Sequence, residues 1–307
     1  MKHKEIFSDI LKNVFDAQLL GYSQFGGGVA GGIIYKLEFD KTPFVAVIKT
    51  AENISLLKKE CDYIRKIQQY ADIKLPEIYS DFTVDDKYFI LMEYFDGVNC
   101  LTDFVLNASQ EERTRLADEI AENIIKLQAV KGEKYGDLLS PSYDSWNEYY
   151  KPFAESVVNE AGVLQKEGYI TKDILLFLQK AYDLYDEIFD EPVSKPTIIH
   201  GDYWAGNLIV NKDFELIGVL DPFNSIWGDS EYELFALNAV HNGKIPILEA
   251  YMSKQSVSEK FMLKNYFYLL FSETFWVTKL HHDNIAYLNE IIDKLDTEIK
   301  KSDILKK

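Results

Sequence analysis

Apolar and polar positions alternate from Ile33 to Phe39, IIYKLEF, with Tyr35, Leu37 and Phe39 on one side and Ile34, Lys36 and Glu38 on the other. That period predicts a strand. Residues 44–49, FVAVIK, predict a second strand, with Lys49 on the same face as Val45 and Val47. From 55 to 69, SLLKKECDYIRKIQQ, the spacing becomes helical: Leu57, Ile64 and Ile67 form an inner stripe, and Lys58, Lys59, Asp62, Arg65 and Lys66 lie outside. Residues 87–95, KYFILMEYF, predict an apolar strand that runs into the break Asp96-Gly97.

Beyond that break the pattern is mainly helical. A helix is predicted over 110–127, with Leu116, Ile120, Ile124 and Leu127 as its stripe, and another over 174–189, ended by Pro192. Residues 261–280 carry Phe, Tyr and Leu at core spacing, and 284–299 read as an amphipathic helix. Residues 131–151, KGEKYGDLLSPSYDSWNEYYK, read as an aromatic loop in which Trp146, Tyr149 and Tyr150 could shape an acceptor pocket. Thr197–Ile199 predicts a short buried strand, and LIV and LIGVL around Asn211-Lys212-Asp213 predict a hairpin. Ser230-x-x-Glu233 has the form of a capping box ahead of an apolar helix. The fold class is α+β, with a strand-rich beginning over 1–97 and a larger helical remainder over 98–307.

Two charges contradict this pattern. Lys49 sits on an apolar strand face, and Glu60 sits three residues after Leu57 and four before Ile64, on the inner side of its helix. An inward lysine and an inward acid are each costly alone, and pairing relieves both. Such a pair positions phosphates in kinases. Upstream, Gly26, Gly28 and Gly31 satisfy G-x-G-x-x-G. A dinucleotide fold would place a helix directly after them, whereas here a strand follows, which suits a loop folded over phosphates.

The densest chemistry lies in 197–222, TIIHGDYWAGNLIVNKDFELIGVLDP. His200, Asp202 and Asn207 stand in the spacing H-x-D-x-x-x-x-N, and Asp221 ends the second strand of the hairpin. That hairpin returns Asp221 to the end occupied by Asn207, so both could reach one cation. An amide and a carboxylate suit Mg²⁺, which takes oxygen ligands and keeps several waters. Asp202 is placed to accept a proton from an attacking hydroxyl. His200 is expected to brace the loop by hydrogen bonding.

Composition narrows the partners. With 307 residues and 47% apolar content the chain can bury a large core. Its formal charge of −17 disfavours nucleic acid and anionic membranes as partners, and no apolar run is long enough to span a bilayer. Most of the excess acid lies beyond residue 100, a field that would draw a cationic substrate. Cys61 and Cys100, with no signal peptide ahead of them, point to a reducing cytoplasm. His281-His282 has no second ligand pair at metal-site spacing.

The series of glycine hairpin, Lys49, Glu60, HGD…N and Asp221 resembles the aminoglycoside phosphotransferase superfamily. HGDYWAGNL, LDP and WGDSEYELFAL are most similar to its fructosamine kinase branch. The resemblance spans nearly the whole chain and implies a bilobal protein-kinase-like fold, ATP with Mg²⁺, and transfer to a hydroxyl of a small molecule. It implies Asp202 as catalytic base and Asn207 and Asp221 as metal ligands. The nucleotide would meet Gly26, Gly28, Gly31, Val47, Lys49, Glu60, Met92, Glu93 and Phe95, with Glu93–Phe95 as the hinge between lobes. Gly201 stands where protein kinases carry Arg, against a phosphorylation-switched protein kinase. Glu233 stands where the family has an Asp that braces the catalytic loop. A ketosamine or amino-sugar is the first acceptor reading, and an aminoglycoside or other amino-alcohol the next. A catalytically inactive nucleotide-binding regulator and a dinucleotide oxidoreductase are the readings from other classes.

Overall fold

A computed structural model describes residues 2–27, 32–51, 54–193, 195–222, 224–238, 244–302 and 304. In chain order the elements are α1 (Lys2–Phe15), β1 (Leu19–Gly27), β2 (Gly32–Phe39), β3 (Val45–Ala51), α2 (Ile54–Tyr70), β4 (Ile78–Val84), β5 (Lys87–Glu93), β6 (Val98–Asn99), α3 (Asp103–Leu106) and α4 (Gln110–Gln128). There follow β7 (Gly136–Asp137), α5 (Trp146–Glu167), α6 (Lys172–Asp183), α7 (Tyr185–Ile188), β8 (Thr197–Ile199), β9 (Leu208–Val210), β10 (Leu216–Val219) and β11 (Ile226–Gly228). The chain closes with α8 (Ile247–Lys254), α9 (Phe261–Leu280) and α10 (Ile285–Lys301). Short 3₁₀ turns occupy Ala205–Asn207 and Tyr232–Asn238.

The chain forms two compact units: Met1–Asn107 with Gly206–Asn224, and Ala108–Ala205 with Ser225–Lys307. These units differ from a single cut after Gly97. β6 pairs with β9, and a Cβ on Gly97 would lie 2.5 Å from the Val210 carbonyl oxygen, so the chain just past the break packs with the β9–β10 hairpin. The segment expected as a hinge, Glu93–Phe95, therefore lies within the first unit, and Phe95 covers Gly218 of β10 so closely that a Cβ there would fall 2.3 Å from its ring.

The first unit is built on an antiparallel sheet of order β1-β2-β3-β5-β4. The period of two in β3 sends Ala46 and Ile48 to the face covered by α1, where Phe7 and Leu11 are fully buried. Val47 goes to the other face, where Leu57 and Cys61 of α2 pack. α1 is not among the elements read from the sequence above, although Phe7, Ile10 and Leu11 stand at helical spacing and all three are buried.

In the second unit α4 has the expected stripe, with Leu116, Ile120, Ile124 and Leu127 fully buried and a capping box made by Ser109 and Glu112. Two expectations are corrected. Residues 146–151 are not loop: α5 begins at Trp146, where the Ser145 side chain accepts from Glu148 N at 3.2 Å. Pro152 and the run of aromatic residues obscured that start, although Ser145-x-x-Glu148 carried the signal. The helix expected over 174–189 is α6 and α7, parted at Leu184. α9 is buried on most sides and packs with α5 and α10 in the largest core cluster, so its apolar content is all-round instead of striped.

Candidate functional site

In the first unit β3 and α2 bring the two misplaced charges together. Lys49 Nζ donates to Glu60 Oε1 at 2.8 Å, with the side chains 13% and 8% exposed. The same ammonium donates to Asp221 Oδ1 at 2.8 Å. Burial opposes the lysine's charge, but Glu60 and Asp221 more than offset it, so its pKa is raised. Burial pushes the Glu60 carboxyl upward while Lys49 pulls it down. One cation thus stands between two acids, one on a neighbouring helix and one 172 positions away.

Asp221 reaches this place on the β9–β10 hairpin. Asn211 closes the turn by accepting from the N–H groups of Asp213 and Glu215 at 2.9 and 3.0 Å. At the other end Leu220 N donates to the Asn207 carbonyl oxygen at 2.8 Å, which sets Asn207 and Asp221 side by side in the chain path. Asp221 has φ 58°, the left-handed region that costs a residue with a Cβ about 1 kcal/mol or more. Asn207 is buried. An amide oxygen and a carboxylate suit Mg²⁺. Among the described residues no cluster of three or more His, Cys, Asp and Glu could hold a metal alone, so an ion here would need further oxygens from nucleotide and water.

The remaining nucleotide candidates are partly placed. Val47 and Met92 are direct cross-strand partners on the α2 face of the sheet, and both are buried. Gly26 lies in β1, paired with Ile34. Gly28 and Gly31 lie outside the described residues. Glu93 ends β5, and its N–H donates to the Glu77 carbonyl oxygen at 2.9 Å.

Asp202 belongs to the second unit, on the turn that follows β8. The turn is held from below. His200 is fully buried, and its Nδ1 accepts from Asp202 N at 3.3 Å, the bracing role expected of it. Ser225 Oγ donates to the His200 carbonyl oxygen at 3.0 Å. Glu233 corrects the capping-box expectation: its carboxylate accepts from His200 N at 2.5 Å and Gly201 N at 3.2 Å, and the residues after Tyr232 form a 3₁₀ turn instead of a capped α-helix. Burial pushes the Glu233 pKa up to about 8, against the two N–H donors that favour its anion.

A second buried network went unnoticed in the sequence. Lys264 of α9 donates to Glu231 at 2.6 Å and pairs with Asp229 at 2.9 Å. Glu231 also accepts from Ser258 Oγ, and Tyr268 OH donates to Asp229 at 3.0 Å. This ties the chain just ahead of Glu233 to α9. A lysine amid LKNYFYLL was the available signal. Trp146 and Tyr150 are buried and stacked 5.3 Å apart, with Trp146 Nε1 donating to Tyr268 OH, so both are packing residues.

An antiparallel sheet that sets a lysine between a helix-borne acid and the acid ending a distal hairpin, and a braced H-G-D turn in the helical unit, define a phosphotransferase of protein-kinase-like α+β fold. The chain belongs to the phosphotransferase enzyme family APH, whose model matches residues 35–253. It is a small-molecule phosphotransferase. No curated protein matches the chain in sequence. Among solved structures it is similar to a protein of Haemophilus somnus 129PT assigned as a fructosamine-3-kinase, at TM-score 0.69 and 18% identity over 95% of this chain and 96% of that one. It is also similar to aminoglycoside phosphotransferase APH(4)-Ia in complex with AMP-PNP and hygromycin B, at TM-score 0.67 and 14% identity over 95% and 98%. The gentamicin complex of APH(2")-IIa matches at TM-score 0.61 and 17% identity over 98% and 96%. No helix among the described residues is long and apolar enough to cross a membrane.

Proposed function

We propose that the protein is an ATP- and Mg²⁺-dependent kinase that moves the γ-phosphoryl group to a hydroxyl of a ketosamine or amino-sugar. The observation that carries this reading is Lys49, 2.8 Å from both Glu60 and Asp221. Glu60 comes from the element next to that of Lys49 and Asp221 from 172 positions beyond it, and both acids meet the one ammonium. ATP as donor is supported by the AMP-PNP complex of the APH(4)-Ia relative. Cys61 and Cys100 are free and buried, which fits a cytoplasmic protein.

Each residue then has one task. Lys49, oriented by Glu60, holds the nucleotide phosphates. Gly26 and the glycines after it leave room for backbone N–H groups to approach the anion. Val47 and Met92 offer an apolar surface to the base, and the backbone of Glu93–Phe95 meets its polar edge. Asn207 and Asp221 would hold Mg²⁺, which would supply neutralisation of phosphate charge. Asp202, on a turn fixed by His200 and Glu233, orients the acceptor hydroxyl and takes its proton. Position and electrostatics do most of the work in such a transfer.

The acceptor class rests on the fructosamine kinase resemblance of HGDYWAGNL and on the negative charge of the chain. Aminoglycosides are the second reading, favoured by two of the structural relatives. ATP turnover over a panel of ketosamines, aminoglycosides and neutral sugars tests both. Turnover by the wild type that is absent from Asp202→Asn supports the assignment, and equal rates in the two proteins reject it.

A further inference from the structure

Glu233 can brace the catalytic turn only if the chain that carries it is itself fixed. Its carboxylate reaches back to His200 N and Gly201 N from the 3₁₀ turn over Tyr232–Asn238. Turns of this kind have poor hydrogen-bond geometry and seldom run beyond three or four residues. The start of the turn is therefore the point that must be held. β11 does part of this, pairing Ile226 with Ile199 and Gly228 with Thr197 of the strand that delivers Asp202. From Asp229 onward the hold comes from side chains.

Lys264 lies at the centre of that hold. It is 6% exposed, and its ammonium meets Glu231 Oε2 at 2.6 Å and Asp229 Oδ2 at 2.9 Å. Burial opposes its charge, but the two carboxylates outweigh burial and raise its pKa. Glu231 also accepts from Ser258 N at 2.5 Å and Ser258 Oγ at 2.8 Å, and Asp229 accepts from Tyr268 OH at 3.0 Å. Between the two acids, the Ser230 carbonyl oxygen accepts from Gln128 Nε2 of α4 at 2.8 Å. Three successive residues are thus pinned by α4 and α9, and the last of them stands two positions before Glu233.

Replacing a buried ion knot by apolar residues of like volume is often neutral or stabilising, so stability alone does not account for its charges. What the knot supplies is one fixed position for the backbone that leads to Glu233. Resting on the kinase reading above, we propose that Lys264 is a positioning residue of the phosphoryl transfer. Through Asp229 and Glu231 it sets the place of Glu233, and through Glu233 the place of the turn that carries Asp202. The knot, Glu233 and Asp202 all lie in the second unit, whereas Lys49, Glu60, Asn207 and Asp221 lie in the first. Loss of the knot therefore acts on the step that uses Asp202 and spares the nucleotide. A misplacement of about 1 Å can cost on the order of a hundredfold in rate.

Lys264→Met is expected to lower kcat at least tenfold and to leave the KM for ATP within threefold of wild type. Calorimetric titration with Mg·ATP counts the folded sites, which separates a slower site from a smaller folded fraction. Leu295→Ala hollows the core beneath α10 and serves as the control for lost stability, with kcat per folded site expected within threefold of wild type. Hydrogen exchange reads the turn directly. In Lys264→Met, amides of residues 199–202 should exchange at least tenfold faster than in wild type, while those of residues 116–124 in α4 should not. Should Lys264→Met fail to fold, Glu231→Gln keeps the shape and weakens the ties to Lys264 and Ser258. It is expected to lower kcat at least threefold with the same local rise in exchange. Unchanged kcat per folded site, or unchanged exchange over 199–202, overturns the proposal. An equal rise over 116–124, or an equal loss of kcat in Leu295→Ala, makes Lys264 a stabilising residue only and overturns it as well. If wild type turns over no acceptor, the kinase reading falls and exchange alone decides: a rise confined to 199–202 upholds Lys264 as the residue that fixes the turn, and equal exchange removes it.

Discussion

Lys49 Nζ lies 2.8 Å from Asp221 Oδ1, joining the middle of β3 to the second residue beyond β10. The contact gives the otherwise solvent-accessible Asp221 a fixed position, and it gives Lys49 a second acid besides Glu60. Removing Lys49 leaves two carboxylates facing each other at a partly buried point. Lys49→Met is expected to destabilise the protein by about 3 kcal/mol or more, the usual consequence of stranding a buried charge. Lys49→Met/Glu60→Gln should recover much of that loss. Urea unfolding of the two single variants and the double variant checks it, and simple additivity of the single effects would count against the coupling.

Asp221→Ala is expected to abolish Mg²⁺-dependent nucleotide binding and leave the fold in place. Asp221 is a third exposed, its side chain enters no buried core, and its loss leaves Lys49 still paired to Glu60. Isothermal titration with Mg·ATP, with circular dichroism as the control for folding, reads both. Unchanged affinity in the variant would count directly against the ligand assignment.

Glu233 gives stability a pH signature. Its pKa rises from 4.5 to about 8 on folding, so the native state binds this proton more tightly than the unfolded chain does. The associated stability is fully present below about pH 4.5 and is lost as pH climbs to about 8, at up to about 1.4 kcal/mol per unit within that window. Glu233→Gln cannot titrate. The stability of wild type relative to Glu233→Gln should fall between pH 5 and pH 8 in denaturant titrations. A difference that does not change with pH would contradict the assignment.

Gly218 is predicted to tolerate no side chain. The Phe95 ring occupies the space a Cβ would need, so Gly218→Ala must displace an aromatic ring or the β10 backbone, at a cost of about 1–3 kcal/mol. Thermal unfolding measures it, and a melting temperature equal to that of wild type would show that the ring moves freely.

Much of the site was readable because it broke local rules. Lys49 and Glu60 were conspicuous as charges on apolar faces, and the structure pairs them. The hairpin of 208–220 was legible from two apolar runs around Asn211-Lys212-Asp213, and its turn is closed by Asn211 as that sequence suggests. What stayed hidden depended on partners far along the chain. Ser230-x-x-Glu233 satisfies a local motif, yet the two N–H groups that Glu233 serves lie 32 and 33 residues earlier. Lys264 could not be matched to Asp229 and Glu231 without knowing that α9 passes beside them. α5 was missed because Pro152 and the tyrosines resemble loop composition, while helix formation there is decided by packing of Trp146, Tyr150 and Ala154 in the core. The partition of the chain was also beyond local reading, since β6 finds its partner in β9 more than a hundred residues later.

The central claim is that this chain phosphorylates the hydroxyl of a small cationic acceptor with Asp202 as base. Mass spectrometry of an acceptor panel incubated with ATP and Mg²⁺, wild type beside Asp202→Asn, tests it most directly. The account predicts that a ketosamine or amino-sugar gains one phosphoryl group with wild type, and that the variant forms the product at least a hundredfold more slowly, in keeping with loss of a general base at roughly 10²–10⁴-fold. A phosphorylated acceptor formed equally well by Asp202→Asn, or no phosphorylated acceptor at all from a wild type that binds ATP, would contradict it.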